Sequence, residues 1–150
     1  MPPVELMLRL LLAAGLGAAI GLERELRHKP AGLRTNMLIA VGSALFTTLS
    51  IAFAHTGGTS DRMAAQIVTG VGFLGAGAIL QSGERIHGLT TAATIWVNAA
   101  IGTAAGAGEY AMSSIATLIT LVVLAALGPL EAYFERRAGF TNERPRPPAF

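Results

Sequence analysis

The chain has no cysteine and few charged residues: Asp, Glu, Lys and Arg make up only 13% of its 150 positions. Without cysteine it has no disulfide, no thiolate nucleophile and no cysteine-ligated zinc or iron–sulfur site. Soluble domains carry about 25% charged residues. The low charge, together with 52% hydrophobic residues and a mean hydropathy of +0.55, is typical of a protein that lives in a lipid bilayer.

Sequence signals of an enzyme or of a nucleotide site are also missing. The histidines are isolated in predicted loops, and neither H-E-x-x-H nor G-x-S-x-G occurs. Residues 70–77 match G-x-G-x-x-G, but they lie inside an uncharged run of helical length, and no acidic residue occurs between Glu84 and Glu109. A dinucleotide site needs a strand before this motif and an acid about 20 residues after it. We therefore expect neither catalysis nor nucleotide binding.

Five long uncharged runs fill most of the chain. A helix needs about 20 apolar residues to cross about 30 Å of hydrocarbon, and four of the runs exceed 20 residues. We predict an all-α, polytopic membrane domain over residues 1–138 and a disordered, Pro-rich cytoplasmic tail over 139–150. The first helix carries early charges and lacks a cleavage site, so we interpret it as a retained span and not a signal peptide. The five predicted transmembrane helices cover about 4–22, 35–54, 63–80, 89–107 and 110–130.

The distribution of basic residues predicts the orientation. Lys and Arg are retained on the cytoplasmic side of a membrane protein. Nine of the 11 basic residues fall in loop 23–34, in loop 81–88 and in the tail, whereas only Arg9 and Arg62 fall on the opposite side. Five spans then place the N-terminus outside and the C-terminus in the cytoplasm. Because the basic residues lack interleaved aromatic residues, we expect contact with anionic lipid and none with nucleic acid.

Small residues recur at four-residue spacing on several of the predicted helices. This spacing puts them on one helix face, where backbones can approach closely in lipid. The pattern predicts helix packing, and the alternative is that some glycines mark thin-walled places where a solute passes. The candidate packing residues are Gly17, Gly21, Gly70, Gly72, Gly75, Gly77, Gly102 and Gly106.

A stripe of polar residues follows the fourth predicted helix. Thr90, Thr94 and Asn98 lie at i, i+4 and i+8, and two glycines continue the stripe. A polar group in hydrocarbon costs free energy unless it faces a partner or water, so this face is predicted to line the interior of the bundle. Two interpretations stay open: hydrogen bonds between helices, or a hydrated pathway that also includes Gln66 of the third helix.

The second and fourth helices begin with the same Gly-Leu-x-Thr pattern, at residues 32–35 and 88–91. Helix N-termini carry free N–H groups and a partial positive charge. Both are predicted to face the cytoplasm, where they would hold an anion or the carboxylates of Glu23 and Glu25, unless they are ordinary N-caps. The candidate residues of a polar pathway or a cytoplasmic site are Glu23, Arg24, Arg34, Thr35, Gln66, Thr90, Thr91, Thr94 and Asn98.

Charged residues near the predicted outer surface leave further alternatives open. We expect Arg9 to extend outward, to pair with Glu5 or to reach Glu109. Carboxylates on both sides of the membrane would suit magnesium, which keeps most of its water and needs only one or two of them. The sequence predicts no resident cofactor, and a magnesium ion or a lipid remains the candidate ligand.

Three blocks of the sequence resemble the MgtC/SapB family of bacterial inner-membrane proteins: GLERELRHKPAGLRTNMLIAVGSALF, QIVTGVGFLGAGAIL and GLTTAATIWVNAAIGTAAGAGEY. The resemblance covers about residues 8–130. It implies a five-helix membrane protein linked to magnesium homeostasis, to adaptation to low magnesium and, in pathogens, to survival inside host phagocytes. It also implies one of two roles, a magnesium transporter or a non-transporting regulator that binds another membrane complex such as the ATP synthase.

The family's motifs map onto defined positions. The G-x-E-R motif corresponds to residues 21–24, A-G-L-R-T to 31–35, Q-I-V-x-G-x-G-F-L-G-A-G to 66–77 and G-L-x-T-A-A-x-x-W to 88–96. Many members continue into a soluble cytoplasmic domain, and this chain is similar to the short branch without it. We expect a homodimer in the bacterial inner membrane, in contact with lipid and with a membrane-protein partner.

Overall fold

The computed structural model describes residues 1–54, 61–82 and 85–137. Within these ranges the predicted all-α fold class is confirmed, with one short antiparallel hairpin as an addition. The predicted tail, 139–150, lies outside the described residues. The elements in chain order are α1 (Pro3–Leu26), α2 (Leu33–Ala54), α3 (Asp61–Gly77), β1 (Leu80–Ser82), β2 (Arg85–His87), α4 (Leu89–Ala107) and α5 (Tyr110–Arg137).

α1 is longer than the hydrophobic segment from which it was predicted. It begins at Pro3, since proline is favoured at the first positions of a helix, and it continues to Leu26 instead of ending near residue 22. Glu23 and Arg27 form an ion pair across this last turn, and charged pairs four residues apart favour a helix. Hydrophobicity therefore locates the membrane segment, whereas helix propensity and ion pairing decide where the helix ends.

The ends of α3 and α5 also differ from the prediction. α3 ends at Gly77 and not near residue 80, because residues 80–82 pair with 85–87 in the hairpin, with Leu80 opposite His87. A strand of three residues gives too short an alternation to be recognised in a sequence. α5 begins where it was predicted but continues to Arg137.

α4 lies at the centre of the bundle and contacts each of the other four helices. α1 and α2 pack against it and, most extensively, against each other. We call α1, α2 and α4 the central helices. α3 packs against α4 and α2, and α5 packs against α4 and α1, so both lie at the periphery.

The central helices approach one another so closely that no side chain fits between them at two positions of α4. A Cβ atom at Gly102 would collide with the backbone of Ala40, and a Cβ atom at Gly106 would collide with the backbone of Ala44. Because the spacing is four residues on both helices, the contact repeats from one turn to the next. On the α1 side, a Cβ atom at Gly17 would lie 2.7 Å from the carbonyl oxygen of Asn36. A Cβ at Gly21 would likewise collide, 2.6 Å from the Cα atom of Leu33.

The glycines of α3 behave differently. A Cβ atom at Gly70, Gly72 or Gly77 would meet no atom within 4 Å among the described residues, so these three glycines do not pack closely against another described helix. They face outward because α3 turns its buried face, with Ile67 and Val71, toward α4. Only Gly75 of this segment approaches α4, where a Cβ atom would make an ordinary contact with Ala92 at 3.6 Å.

Three helices of the described chain are long and apolar enough to cross a membrane, namely Pro3–Leu26, Leu33–Ala54 and Tyr110–Leu127. Large hydrophobic side chains cover the outer surface, and Phe73 on α3 is 82% exposed. An apolar exterior around a core that contains buried polar groups is the arrangement expected of a protein surrounded by lipid.

Candidate functional site

The candidate site lies where α1 ends and α2 and α4 begin, which we call the α1–α2 end of the bundle. Arg24, in the last turn of α1, is only 4% exposed. Its Nη2 atom donates a hydrogen bond of 3.1 Å to the hydroxyl oxygen of Thr91, which is buried in the first turn of α4. The Nε atom of Arg24 is buried and has no hydrogen-bond partner within the described ranges. A guanidinium group thus joins α1 to the start of α4.

The neighbouring Glu23 forms an ion pair with Arg27 and also interacts electrostatically with Arg24. Its Oε1 atom lies 2.7 Å from Nε of Arg27, and the Glu23 side chain is 12% exposed. The Nη2 atom of Arg27 also donates a hydrogen bond of 3.1 Å to the carbonyl oxygen of Ala125 in α5. The Glu23–Arg27 pair therefore holds α5 against the end of α1, and the charge of Arg24 stays without a carboxylate hydrogen-bonded to it in the described part of the chain.

At the start of α2, a carboxylate of the chain itself caps the helix N-terminus. The Oε2 atom of Glu25 accepts a hydrogen bond of 2.9 Å from the backbone N–H of Leu33, the first residue of α2. A carboxylate at this position neutralises the partial positive charge of the helix N-terminus. Of the carboxylates considered for this place, Glu25 occupies it and Glu23 does not.

The start of α4 is organised differently, although its sequence pattern is the same. Gly88 precedes the helix with a φ angle of +88°, a left-handed conformation that favours glycine, and a Cβ atom there would collide with the carbonyl oxygen of Ala78. Gly88 supplies no side-chain cap. The charged group that contacts the first turn of α4, among the residues described, is the cation Arg24.

Two buried asparagines join α2 to α4 further inside the bundle. Asn36 and Asn98 are both 0% exposed, and Nδ2 of Asn98 donates a hydrogen bond of 2.6 Å to the backbone carbonyl of Asn36. Nδ2 of Asn36 donates to the carbonyl oxygens of Ala31 and, at 3.1 Å, Gly32. The two Oδ1 atoms are buried without a hydrogen-bond partner in the part of the chain that the structure describes.

Sequence reasoning identified Asn98 and missed Asn36. A signal was available, because these two are the only asparagines inside the long uncharged runs. Asparagine is one of the side chains that hydrogen-bond between helices in lipid.

The predicted polar stripe of α4 is displaced by one residue at its beginning. Thr91, Thr94 and Asn98 are buried, whereas Thr90 is exposed. The hydroxyl of Thr94 donates to the carbonyl oxygen of Thr90 in its own helix, at 2.7 Å. A helix turns 100° per residue, so residues three or four positions apart share a face. Thr94, three residues after Thr91, therefore lies on the same buried side of α4.

The remaining candidate residues do not converge. Arg34 and Thr35 are exposed at the start of α2. Gln66 lines an apolar groove of about 580 Å³ between α2 and α3, whereas Thr94 lines another, of about 430 Å³, between α4 and α5. Asn98 lines neither of these grooves. The residues considered as one pathway are therefore distributed over two sides and the centre of the described chain.

The opposite end of the bundle, where α4 turns into α5, is closed by Arg9. Its Nη1 atom donates a hydrogen bond of 2.7 Å to the carbonyl oxygen of Gly106, and Nη2 pairs with Glu5. Of the three arrangements expected for Arg9, the pair with Glu5 is present, and the second contact is with a backbone carbonyl and not with Glu109. Carbonyl groups in the last turn of a helix have no N–H partner within the helix, and they are favourable partners for a cation.

A cluster of metal ligands is not found in the described ranges, where no three His, Asp or Glu side chains come together. Three of the described acidic side chains are already engaged, because Glu5 and Glu23 pair with arginine and Glu25 caps α2. In this arrangement the carboxylates hold helices together through ion pairs and a helix cap. It is less suited to the coordination of a dehydrated metal ion.

Comparison with known proteins identifies close relatives. The chain is 50% identical over 127 residues to an Escherichia coli K12 protein named "Putative magnesium transporter YhiD", with 80% of this chain and 59% of the relative covered. It is 47% identical over 123 residues to "Protein MgtC" of Brucella abortus strain 2308, with coverage of 82% and 51%. It is 42% identical over 139 residues to "Uncharacterized protein slr0014" of Synechocystis, with coverage of 93% and 59%.

The chain spans between half and three-fifths of the length of these relatives. No solved structure matches it significantly. The family model described as the MgtC family matches residues 10–133, which include α2, α3 and α4 and most of α1 and α5. The chain therefore belongs to the MgtC family.

Proposed function

We propose that this chain is a multi-pass protein of the bacterial inner membrane that acts in magnesium homeostasis by binding other membrane proteins, and not by carrying an ion through its interior. The link to magnesium rests on the family and on the name of the E. coli relative. The choice between the two roles rests on one observation, the closed contact between α2 and α4.

That contact leaves no room for a hydrated ion between the central helices. The backbones at Gly102 and Ala40, and again at Gly106 and Ala44, are too close to admit a methyl group. Magnesium gives up its water reluctantly, so its passage would require a far wider space. Asn98, the most deeply buried of the candidate pathway residues, lies one turn from this contact and is 0% exposed.

In the proposed topology all five helices cross the membrane, with the N-terminus outside and the α1–α2 end at the cytoplasm. Two features support it. Most basic residues lie in the two connections at the α1–α2 end and in the tail. Arg9, near the start of α1, contacts Gly106 at the α4–α5 turn, as it must if both are on the outer side.

A flux measurement tests the absence of transport. The purified chain, reconstituted into vesicles that enclose a magnesium-sensitive dye, should admit magnesium no faster than protein-free vesicles under a concentration gradient, a pH gradient or a membrane potential. A saturable influx that depends on the chain would contradict the proposal. Orientation and folding in the same vesicles are checked by protease access to the loop 27–32.

Photo-crosslinking tests the binding of a partner. A photoreactive residue at Phe73 on α3 or Leu118 on α5, which are 82% and 64% exposed, should give adducts with membrane subunits of the ATP synthase, the partner class that the family resemblance suggests. The same residue at Ile101, 1% exposed, is the matched control and should give none. Adducts limited to lipid and to the chain itself would contradict the proposal.

A second candidate, a carrier formed between two copies, is favoured by the position of Gln66. This amide is exposed in the largely apolar groove between α2 and α3, where lipid cannot hydrogen-bond to it. Because the chain has no cysteine, a Gln66→Cys variant reports on such a dimer directly. Disulfide-linked dimers in native membranes, together with magnesium flux, would support the carrier, whereas monomers without flux would exclude it.

A further inference from the structure

α5 passes through a proline without ending there. The helix runs from Tyr110 to Arg137, and Pro129, preceded by Gly128, lies inside it. Proline has no backbone N–H, so it removes the hydrogen bond to the carbonyl four residues earlier, and inside a helix it produces a kink. That carbonyl belongs to Ala125. The helix is therefore weakened between Ala125 and Pro129 by its own covalent structure.

The carbonyl that Pro129 leaves without its helical donor is the one that Arg27 binds. The Nη2 atom of Arg27 donates a hydrogen bond of 3.1 Å to the carbonyl oxygen of Ala125. A proline is tolerated in a helix within lipid where a neighbouring part of the protein satisfies the backbone group that it frees. Arg27 is the C-cap residue of α1, so the α1–α2 end of the bundle supplies the donor that α5 lacks.

A second contact fixes the position of the Arg27 side chain. Its Nε atom lies 2.7 Å from Oε1 of Glu23, one turn earlier in the chain. Because the N–H groups of a guanidinium form a rigid, planar fork, the ion pair with Glu23 determines the direction in which Nη2 points. The Arg27 side chain is 37% exposed, and Ala125 is exposed as well. The contact between them therefore lies at the surface, where it opens without unpacking the core.

We propose that Gly128 and Pro129 form a hinge in α5 and that Arg27 is the latch that holds this hinge in one direction. Hinges are short segments whose backbone angles absorb a change of direction, and glycine is the residue least restricted in these angles. With Arg27 bound to Ala125, residues 130–137 keep the direction seen in the structure. When Arg27 releases the carbonyl, these residues change direction while the first part of α5 stays packed against α1 and α4.

The device connects the two sides of the same end of the bundle. A change at the α1–α2 end that moves Arg27 also changes the direction in which the chain leaves α5. The proposal does not depend on the proposed function, because it involves neither the closed contact between α2 and α4 nor the outer face of α3.

Distances between paired spin labels on the full chain in lipid nanodiscs test the hinge. Because the chain has no cysteine, two introduced cysteines carry the labels. The test pair joins Leu38, exposed on α2, to Glu135, after the hinge. The reference pair joins Leu38 to Leu118, exposed on α5 before the hinge. Each pair should give one narrow distance distribution in the otherwise unmodified chain. Arg27→Gln should add a second distance for the test pair and leave the reference pair unchanged.

Further variants connect the effect to the proline. Pro129→Ala restores the N–H that bonds to the carbonyl of Ala125, so Arg27→Gln should add no second distance in this background. Arg27→Lys keeps the positive charge but loses the fork that reaches Glu23 and Ala125 together. It should show the second distance to a smaller extent, even if Arg27→Gln does not fold. Arg34→Gln removes another exposed arginine of the same end and is the matched control, which should leave both pairs unchanged.

Four results would overturn the proposal. The first is a test pair that stays unchanged in every Arg27 variant that folds. The second is an equal effect of Arg27→Gln in the Pro129→Ala background, because the proline would then not matter. The third is an equal change in the reference pair, which would show that Arg27 holds the whole of α5 and not a hinge. The fourth is an equal effect of Arg34→Gln, which would indicate a general effect of charge. None of these results bears on magnesium flux or on crosslinking, so the proposed function keeps its own tests.

Discussion

α3 contains four glycines and α4 contains two, and the glycines serve different purposes in the two helices. On α4, Gly102 and Gly106 lie against the backbone of α2, and a Cβ atom would collide at either. On α3, a Cβ atom at Gly70 or Gly77 would meet no atom within 4 Å in the described chain. The difference teaches that a glycine contributes to packing in lipid through the helix it faces, and that spacing alone does not reveal which helix that is.

The largest effect that separates the two regions is expected from a methyl group. Gly102→Ala should destabilise the fold by about 1–3 kcal/mol, because the new Cβ atom overpacks against Ala40. Gly70→Ala should change stability by no more than about 0.5 kcal/mol. Both substitutions place alanine in a helix, so their difference isolates packing. Reversible unfolding in detergent measures it, and equal effects would break the comparison.

The hydrogen bond between α2 and α4 should come next. Asn98→Ala removes the side-chain donor to the carbonyl of Asn36 and leaves a small cavity, so we expect a loss of about 1–2 kcal/mol. Thr90→Val, on the exposed side of α4, should be nearly neutral. Unfolding curves of the two variants test this, and a neutral Asn98→Ala would mean that the bond does not hold the helices together.

The cap of α2 is predicted to matter less. Glu25→Ala removes the acceptor for the N–H of Leu33, and loss of a helix cap costs about 0.5–2 kcal/mol. Glu25→Gln keeps an acceptor but loses the charge, so it should fall between the unmodified chain and Glu25→Ala. Amide hydrogen exchange at residues 33–36 checks the local nature of the effect. If these amides were equally protected from exchange in Glu25→Ala, Glu25 would not be the cap of α2.

The smallest effect is expected at the opposite end. Glu5→Gln breaks the pair with Arg9, but Glu5 is about one-third exposed and exposed pairs contribute about 0–1 kcal/mol. Arg9 keeps its bond to the carbonyl of Gly106 in this variant. Arg9→Gln should therefore destabilise more than Glu5→Gln in thermal unfolding. The reverse order would show that the ion pair, and not the carbonyl contact, closes this end.

Much of this architecture follows from the sequence, because a bilayer imposes strong rules. Uncharged runs located all five helices, and sequence blocks identified the family that the comparisons confirm. The buried amide of Asn98 was recognised from its position in one run. What the sequence did not provide is the direction in which each face of a helix points. A rotation of α4 by one residue decides whether Thr90 or Thr91 is buried, and the rotation of α3 decides which residues lie beside Gly70.

Other features depended on contacts between distant residues. The pairing of Glu25 with Leu33 and of Arg24 with Thr91 distinguishes two helix starts that look alike in sequence. The hairpin that ends α3 involves three residues on each side. Such details are decided by tertiary packing, which overrides local propensity.

Water access to position 98 tests the closed centre most directly. Because the chain has no cysteine, single-cysteine variants react with a membrane-impermeant maleimide only where water reaches them. We predict that Asn98→Cys stays unlabelled from either side of intact membrane vesicles, while Thr90→Cys, two turns away on the same helix, is labelled. Labelling of Asn98→Cys at a rate comparable to that of Thr90→Cys would show a hydrated interior and contradict the account.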